Sequence, residues 1–261
     1  MAVIGLATAC PTLAGPRVVS LDGCADQYVL GLVPREDILA VSPRATLADS
    51  YYRDRAKGIR QIPARSETVL ALHPDIVVRT WGGDARLMAM IAENGVKVIN
   101  INDLTALDQA QAELLNVGHA LGRDANAQAE AQSFQAAIAS VEPIGLDRTA
   151  LYYTPSGFSA GPDTIEGDFL KRLGFRLESQ DKGFYYLSPE VILSLKPDVF
   201  ALAFYDDTYA MRRVPGRNPL VRHVIEASPH IVLPRRMLAC TGWFNAYDLR
   251  ALSKTPNAIQ P

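Results

Sequence analysis

The sequence has no excess of charge of either sign. Its 26 Lys and Arg residues nearly balance 28 Asp and Glu residues, which gives a formal net charge of −2. Proteins that bind a nucleic-acid backbone or an anionic membrane through their overall charge carry a basic excess. The composition therefore indicates no nucleic-acid partner.

Long apolar runs and strong compositional bias are also missing. No segment reaches the roughly 18 to 20 consecutive apolar residues that span a bilayer. Apolar residues make up 48% of the chain, with 18 Gly and 17 Pro, which excludes a collagen-like or disordered protein. The 261 residues are enough for one large domain or two small ones.

Cysteine and histidine are scarce. Cys24 and Cys240 lie too far apart for a local metal-binding motif, and the sequence leaves open whether they form a disulfide. The four histidines are His73, His119, His223 and His230. Their spacing is not that of metal ligands, so the sequence predicts no metal site and no cofactor. The absence of G-x-x-x-x-G-K-[ST] and G-x-G-x-x-G motifs argues against an ATPase and a dinucleotide-dependent dehydrogenase.

Residues 1–15 (MAVIGLATACPTLAG) are apolar, rich in small residues and uncharged. This pattern is typical of the apolar core of an export signal, with possible cleavage sites at 7–9 (ATA) and 13–15 (LAG). The positively charged start of such signals is missing, and an apolar first strand or a frayed terminus is the alternative. In a processed signal, Cys10 is removed or lipidated.

Short β-rich runs alternate with helical segments in both halves of the chain. The first half predicts strands at 18–21, 38–41, 76–78 and 96–101. The second half predicts strands at 150–153, 199–204 and 231–233, and helices at 165–173 and 189–195. Such alternation is typical of parallel α/β architecture. We expect two three-layer α/β lobes with parallel sheets, at residues 16–122 and 143–261.

A segment rich in Ala and Gln separates the two halves. Residues 124–141 combine strong helix formers with a thin apolar stripe of Phe134, Ile138 and Val141, spaced i, i+4, i+7. Pro143 ends the predicted helix. This pattern fits a rigid strut of residues 123–142 between two lobes, and it also fits a surface helix of a single domain.

One element occurs in both halves. Residues 67–77 (ETVLALHPDIV) align without gaps to residues 190–200 (EVILSLKPDVF), 123 positions later. Each copy predicts a helix, a Pro-Asp turn and a buried strand. Two related lobes leave a cleft between them, where ligands preferentially bind. Glu67 and Glu190 begin the copies; a carboxylate there also stabilises a helix N-terminus, which is the simplest explanation for each residue alone.

The repeated E-x-x-L-x-L-x-P-D element, the apolar start and the central helix together resemble the helical-backbone (class III) periplasmic binding proteins of ABC importers for vitamin B12, haem and ferric siderophores. The resemblance covers nearly the whole chain from Arg17 onward. It implies a monomeric periplasmic protein that binds a metal chelate between two lobes and delivers it to a permease without catalysis. In that family a Glu on each lobe docks into arginine pockets of the permease, and Glu67 and Glu190 occupy those motif positions.

The resemblance also implies which residues line the cleft. Residues 77–83 (VVRTWGG) run off the end of a strand, and in vitamin B12 binding proteins a Trp followed by paired Gly in this loop lies against the ligand. Trp81 is the first candidate, because an indole offers a large flat surface at little rotamer entropy. Further candidates at the corresponding edge are Tyr51, Tyr52, Phe158, Phe184, Tyr185 and Trp243. Arg212 and Arg213, with Arg217, could bind anionic groups. Each of these residues also suits packing or a solvated loop.

A competing motif lies at residues 157–161 (GFSAG), which match the G-x-S-x-G nucleophile elbow. This alternative makes the protein a secreted serine hydrolase with Ser159 as nucleophile. Asp198 or Asp206, followed by His223 or His230, completes the order Ser, Asp, His. Against it, the turn at 161–163 delays the helix that an elbow places directly after its serine, and no HGGG-type segment lies upstream.

Overall fold

A computed structural model describes residues 15–205 and 214–260, which form two α/β lobes and a helix between them. The predicted export segment lies outside these residues except for Gly15. The first lobe contains strands β1 (Val18–Ser20), β2 (Ile38–Ala40), β3 (Ile76–Arg79) and β4 (Lys97–Asn100), with helices α1 (Gly23–Leu32), α2 (Ser66–Leu70), α3 (Ala85–Glu93) and α4 (Ala110–Ala120).

Helix α5 (Asp124–Ala139) leads into the second lobe. The strands of that lobe are β5 (Thr149–Tyr153), β6 (Phe158–Ala160), β7 (Arg176–Leu177), β8 (Phe184–Tyr186), β9 (Val199–Ala203) and β10 (His230–Leu233). Its helices are α6 (Ile165–Arg172), α7 (Pro189–Ser194), α8 (Pro219–Glu226), α9 (Arg235–Ala239) and α10 (Asn245–Ser253). Of these strands, β6, β7 and β8 were not predicted from the sequence.

The two main sheets have the same topology. The first has the strand order β2-β1-β3-β4 and the second the order β7-β5-β9-β10, with every neighbouring pair parallel. The repeated sequence element supplies equivalent parts in each, namely α2 with β3 and α7 with β9. The expectation of two parallel α/β lobes is therefore confirmed.

The repeated aspartates perform the same structural task. Asp75 Oδ2 accepts a hydrogen bond of 2.7 Å from the backbone N–H of Arg17, just before β1. Asp198 Oδ2 accepts one of 2.7 Å from the backbone N–H of Thr149, at the start of β5. Each carboxylate thus ties the start of one central strand to its neighbour. The Arg17 side chain, which hydrogen-bonds to Asp75, also lowers the pKa of that carboxyl group.

Apolar side chains cover both faces of each sheet, as a parallel sheet requires. An outer core lies on one face of the first sheet and includes Val19 and Val77, and a second outer core includes Leu151 and Phe200. A third core is continuous through both lobes and contains the opposite faces of both sheets together with α5. The lobes are therefore packed on one common interior.

Helix α5 contributes small residues to this shared core. Its buried residues are Ala127, Ala131, Phe134 and Ala137, which repeat at helical spacing. The helix packs against α4 from the first lobe and α10 from the C-terminal segment. A Cβ at Gly118 of α4 would collide with Ala127, so glycine permits the close approach of α4 and α5. None of the helices in the described ranges is long and apolar enough to cross a membrane.

The C-terminal segment returns to the first lobe after β10. Cys240, which follows α9, forms a disulfide with Cys24 in the first turn of α1, and their Cα atoms are 5.2 Å apart. Trp243 packs edge-to-face on Tyr28 of α1, with ring centroids 4.9 Å apart. The lobes are thus joined covalently and by packing in addition to α5.

Candidate functional site

The carboxyl edges of the two main sheets define the candidate site. A helix that connects parallel strands runs antiparallel to them, so the N-termini of α1, α2 and α3 lie at this edge in the first lobe. The same holds for α6, α7 and α8 in the second lobe. Crevices outside the carboxyl ends of parallel strands are the usual ligand sites of open α/β sheets.

Asp22 organises the edge of the first lobe. Its Oδ1 caps α1 by accepting the backbone N–H groups of Cys24 and Ala25 at 3.1 and 2.9 Å. Its Oδ2 accepts three further backbone N–H groups from the loop after β3, those of Thr80, Trp81 and Gly82, at 2.8 to 3.2 Å. One buried carboxylate therefore fixes the loop that carries Trp81.

Two glycines allow this loop to lie against β1. A Cβ at Gly82 would come within 2.7 Å of the Leu21 carbonyl oxygen, and Gly83 has a left-handed φ of +85°. Trp81 itself is 61% exposed although its backbone is tightly held. The indole thus faces solvent from a backbone position that hydrogen bonds hold in place, as a ligand platform requires.

A cavity of about 190 Å³ lies beside Trp81 and reaches the C-terminal segment. Its walls combine the start of α1, the loop after β2 and the disulfide, and its lining residues include Gly23, Cys24, Arg44, Asp49, Trp81 and Cys240. The Arg44 guanidinium donates to Asp49 Oδ2 at 2.6 Å. The loop after β2 was not predicted to supply charged residues to the site, because an arginine beside an aspartate also fits an ordinary surface loop.

In the second lobe, an antiparallel ribbon follows the carboxyl end of β5. Strand β6 pairs with β8 in the register Phe158 to Tyr186 and Ala160 to Phe184. Side chains two residues apart share a face, so Phe158, Phe184 and Tyr186 lie together on one side and are 45 to 58% exposed. The predicted residues Phe158 and Phe184 are brought together here, and Tyr186 joins them.

The opposite face of the ribbon is polar and buried. Ser159 is 0% exposed, and its hydroxyl donates to Tyr185 Oη at 3.1 Å. It lies inside a strand of the ribbon instead of on a strand-to-helix turn. The serine hydrolase alternative is therefore wrong, because this hydroxyl is inaccessible and lacks the geometry of an elbow. Tyr185 is half-buried behind the exposed aromatic face.

Two of the predicted ligand contacts are packing residues in the structure. Trp243 is 0% exposed, and its indole N–H donates to Glu130 of α5 at 2.9 Å. Tyr52 is buried, with its ring 6.2 Å from Trp243, and burial raises the pKa of its hydroxyl. Both rings are buried because the C-terminal segment returns to the first lobe and packs there. No local sequence pattern predicts that return. Tyr51 is half-buried and stacks on Phe244.

Glu67 and Glu190 are exposed in the first turns of α2 and α7. Both helix N-termini face the carboxyl edges, so the two carboxylates occupy corresponding positions on the two lobes. The Ser188 hydroxyl lowers the pKa of Glu190 by hydrogen bonding to its carboxylate. Arg212 and Arg213 lie outside the described residues, and nothing is described of the Arg217 side chain.

Metal-binding side chains do not gather at this site. Within residues 15–205 and 214–260, His, Cys, Asp and Glu form no group of three or more able to hold a metal ion. His73 precedes β3 and His230 begins β10, so both lie at the edge opposite the site. The site therefore offers aromatic faces and charged side chains to a ligand.

Comparisons with known proteins identify the fold. No family model and no curated protein matches the sequence. A possible iron-binding periplasmic solute-binding protein from Staphylococcus epidermidis ATCC 12228 is similar in structure, with a TM-score of 0.69, 20% identity and coverage of 92% of this chain and 98% of that chain. The chain has the fold of periplasmic solute-binding proteins.

Two periplasmic heme-binding proteins also have this fold. The heme-binding protein RhuT from Roseiflexus sp. RS-1 has a TM-score of 0.65 and 21% identity, over 92% of this chain and 97% of that chain. The heme-binding protein HutB of Vibrio cholerae has a TM-score of 0.71 and 15% identity, over 91% of this chain and 97% of that chain. The likeness is one of architecture over nearly the full length.

Proposed function

We propose that this protein is the solute-binding component of an ABC importer, exported to the periplasm, and that it binds a metal chelate in the cleft between its lobes. The observation that carries the proposal is the Trp81 platform at the carboxyl edge of a two-lobed fold shared with periplasmic solute-binding proteins. The disulfide also suits an oxidising compartment outside the cytoplasm. The protein acts by binding and release, with no bond made or broken in the ligand.

The ligand is a ferric siderophore, haem or a corrinoid, and the proposed contacts are Trp81, Tyr51, Phe158, Phe184 and Tyr186. Several proteins of this fold are heme-binding proteins, and one is a possible iron-binding protein. Aromatic faces exposed at the edges of both lobes suit flat or aryl-bearing ligands. Arg212 and Arg213 stay candidates for anionic groups of the ligand.

Binding is tested by titrating the purified protein with haemin, cyanocobalamin, ferric desferrioxamine B and ferric 2,3-dihydroxybenzoate. The chain has two tryptophans, of which Trp81 is exposed and Trp243 is buried, so ligand contact is expected to quench the Trp81 emission. A Trp81→Phe variant is expected to lose that quenching. If calorimetry detects no binding of any of the four compounds, the proposal is wrong.

Glu67 and Glu190 are proposed to dock the protein on arginine residues of the permease. We predict that Glu67→Ala with Glu190→Ala leaves ligand affinity unchanged and abolishes uptake in cells, since both carboxylates lie outside the cavity. Exposed ion pairs contribute only about 0 to 1 kcal/mol each, so these contacts set orientation more than affinity.

The matched control for the docking prediction is Glu93→Ala with Glu226→Ala. These residues end α3 and α8, so they remove one exposed carboxylate from each lobe at the opposite edge. Uptake should survive in this control. Equal loss of uptake in the two double variants, or loss of ligand affinity in the first, would contradict the assigned role.

A further inference from the structure

The cavity beside Trp81 has a size that restricts its contents. Its volume is about 190 Å³. A cavity of about 150 Å³ accepts one benzene ring, whereas sites that enclose a whole drug-sized ligand measure roughly 300 to 1,000 Å³. One substituted aromatic ring therefore fits this cavity, and a porphyrin or corrin does not.

A guanidinium group supplies one wall of the cavity. The Arg44 side chain is 49% exposed, and the carboxylate of Asp49 that holds it is buried. Glycine at position 23 leaves room for this arginine, since a Cβ there would lie 3.2 Å from Arg44 Nε. The Arg235 guanidinium lies 3.9 Å from the same Asp49 oxygen, so two arginines share one carboxylate.

The geometry of Arg44 leaves donors for a ligand. A guanidinium has five N–H groups in a planar fork, and Asp49 occupies the Nη2 end. Asp49 fixes the position of the fork, which lowers the entropic cost of binding a second anion. A pair of adjacent oxygens, as in a carboxylate or a catecholate, matches such a fork.

The other walls suit an aromatic ring. Trp81 lines the cavity together with Cys24 and Cys240, which form the disulfide. Offset stacking on an indole and contact with sulfur both favour an aryl group over an aliphatic one. Because the backbone of Trp81 is held by Asp22, little ordering of the platform is needed when a ring binds.

We propose that this cavity binds an aromatic ring bearing adjacent anionic oxygens, as in the catecholate or hydroxybenzoate arm of a ferric chelate. Trp81 stacks on the ring and Arg44 pairs with the oxygens. The inference rests on the proposed solute-binding function and narrows its ligand to chelates with aryl arms. The metal and the other arms of such a chelate lie outside the cavity, in the open cleft.

Calorimetry with defined probes tests the proposal. The aryl probes are 2,3-dihydroxybenzoate and its ferric complex, and the comparison ligands are ferric desferrioxamine B, which lacks aromatic rings, haemin and cyanocobalamin. We expect the aryl probes to bind and Arg44→Met to weaken them at least about tenfold, the cost of one charge-assisted hydrogen bond. Arg44→Lys keeps the charge and loses the fork, so its affinity should be intermediate.

Two controls, a surface arginine variant and thermal melts, distinguish loss of a contact in the cavity from a change in overall charge or folding. A second cavity variant then tests the Trp81 wall. Arg60→Met makes the same charge change at an exposed position outside the cavity and should bind like the wild type. Thermal melts of each variant show whether it is folded, and Trp81→Ala, at an exposed side chain, tests the cavity without touching the Arg44–Asp49 pair.

The outcomes distinguish the inference from the function on which it rests. If haemin, cyanocobalamin or the ring-free chelate binds while both aryl probes fail, the inference is overturned and the solute-binding function stands. If no compound binds, both are overturned. The inference would also be overturned if the aryl probes bound the Arg44→Met and Trp81→Ala variants with the same affinity as they bind the wild type. In that case the probes must bind outside this cavity.

Discussion

At the scale of single residues, Asp22 links the fold to the site. It is 2% exposed and accepts five backbone N–H groups from two separate segments, the start of α1 and the loop of Trp81. A carboxylate has about four lone-pair positions, so its capacity is fully used. Any other side chain leaves some of these donors without partners in a dry environment.

We predict that Asp22→Ala lowers the free energy of unfolding by about 3 kcal/mol, combining the loss of a helix cap with unsatisfied buried donors. It should also increase acrylamide quenching of Trp81 and weaken ligand binding. Asp84→Ala is the control, because Asp84 caps α3 through a single bond to Leu87 N–H, and its removal should cost about 1 kcal/mol. Urea denaturation measures the free energy of unfolding of both variants. Equal losses of stability would argue against the role of Asp22 in holding both α1 and the Trp81 loop.

Asp26 makes the first lobe sensitive to pH. Its buried carboxyl accepts hydrogen bonds from the Ser20 hydroxyl and from the Ser42 backbone N–H and hydroxyl. Burial raises its pKa from 3.8 to about 6, since desolvation outweighs these bonds. The folded state therefore holds this proton more tightly than the unfolded state. The stabilisation is complete below pH 3.8 and is lost as the pH rises through about 6.

We predict that Asp26→Asn removes this pH dependence. The free energy of unfolding of the variant, relative to the wild type, should rise by about 2 kcal/mol between pH 4 and pH 7.5, because about two pKa units separate the folded and unfolded carboxyl groups and the unfolded carboxyl is already partly ionised at pH 4. Urea denaturation of both proteins at the two pH values gives the difference. A difference that stays constant across this range would refute the prediction.

At the scale of elements, α5 acts as a two-sided anchor. Small buried residues let it approach α4 closely, and Glu130 holds the C-terminal segment on its other side. The Glu130 Oε2 atom accepts both the Trp243 indole N–H and the Tyr247 hydroxyl, each at 2.9 Å. The helix therefore fixes the segment that carries Cys240 to the disulfide.

We predict that Glu130→Ala lowers the free energy of unfolding by about 2 kcal/mol, because it leaves the buried indole N–H of Trp243 without an acceptor. The near-ultraviolet circular dichroism of Trp243 should weaken. Gln128→Ala, at an exposed position of the same helix, should change neither signal. If the two variants behave alike, Glu130 does not anchor the segment.

The elements that could be predicted from the sequence are those with local patterns. The helix predicted at 124–141 is observed as Asp124–Ala139, and the strand predicted at 76–78 as Ile76–Arg79. The ribbon of β6 and β8 was missed because its strands are only three residues long and pair across 23 intervening residues. Trp243 was misplaced for a related reason: an aromatic ring suits a core and a cleft equally, and its burial depends on a distant helix.

At the scale of the whole molecule, the lobes are restrained against each other. The shared core, α5 and the disulfide all connect the first sheet with the second. Large opening of the cleft would expose part of this common interior, at a cost of about 25 cal/mol for each Å² of apolar surface. Ligand exchange is therefore expected to depend on side chains and loops at the carboxyl edges.

We predict that replacing both cysteines, Cys24→Ser with Cys240→Ser, lowers the free energy of unfolding by about 2 to 5 kcal/mol, because the disulfide closes a long loop in the unfolded chain. Dithiothreitol should destabilise the wild type to the same extent and leave the variant unaffected. Urea denaturation with and without dithiothreitol measures this. Equal stability of the oxidised and reduced wild type would contradict the prediction.

The disulfide also changes the covalent connectivity of the chain. Its two cysteines are separated by 216 positions, so most of the polypeptide forms a closed ring with two short tails. A protease that cuts this ring once, for example between the exposed residues Asp181 and Lys182, yields two fragments that the disulfide still joins, and the total mass rises by one water. The two fragments come apart as separate chains only after the disulfide is reduced.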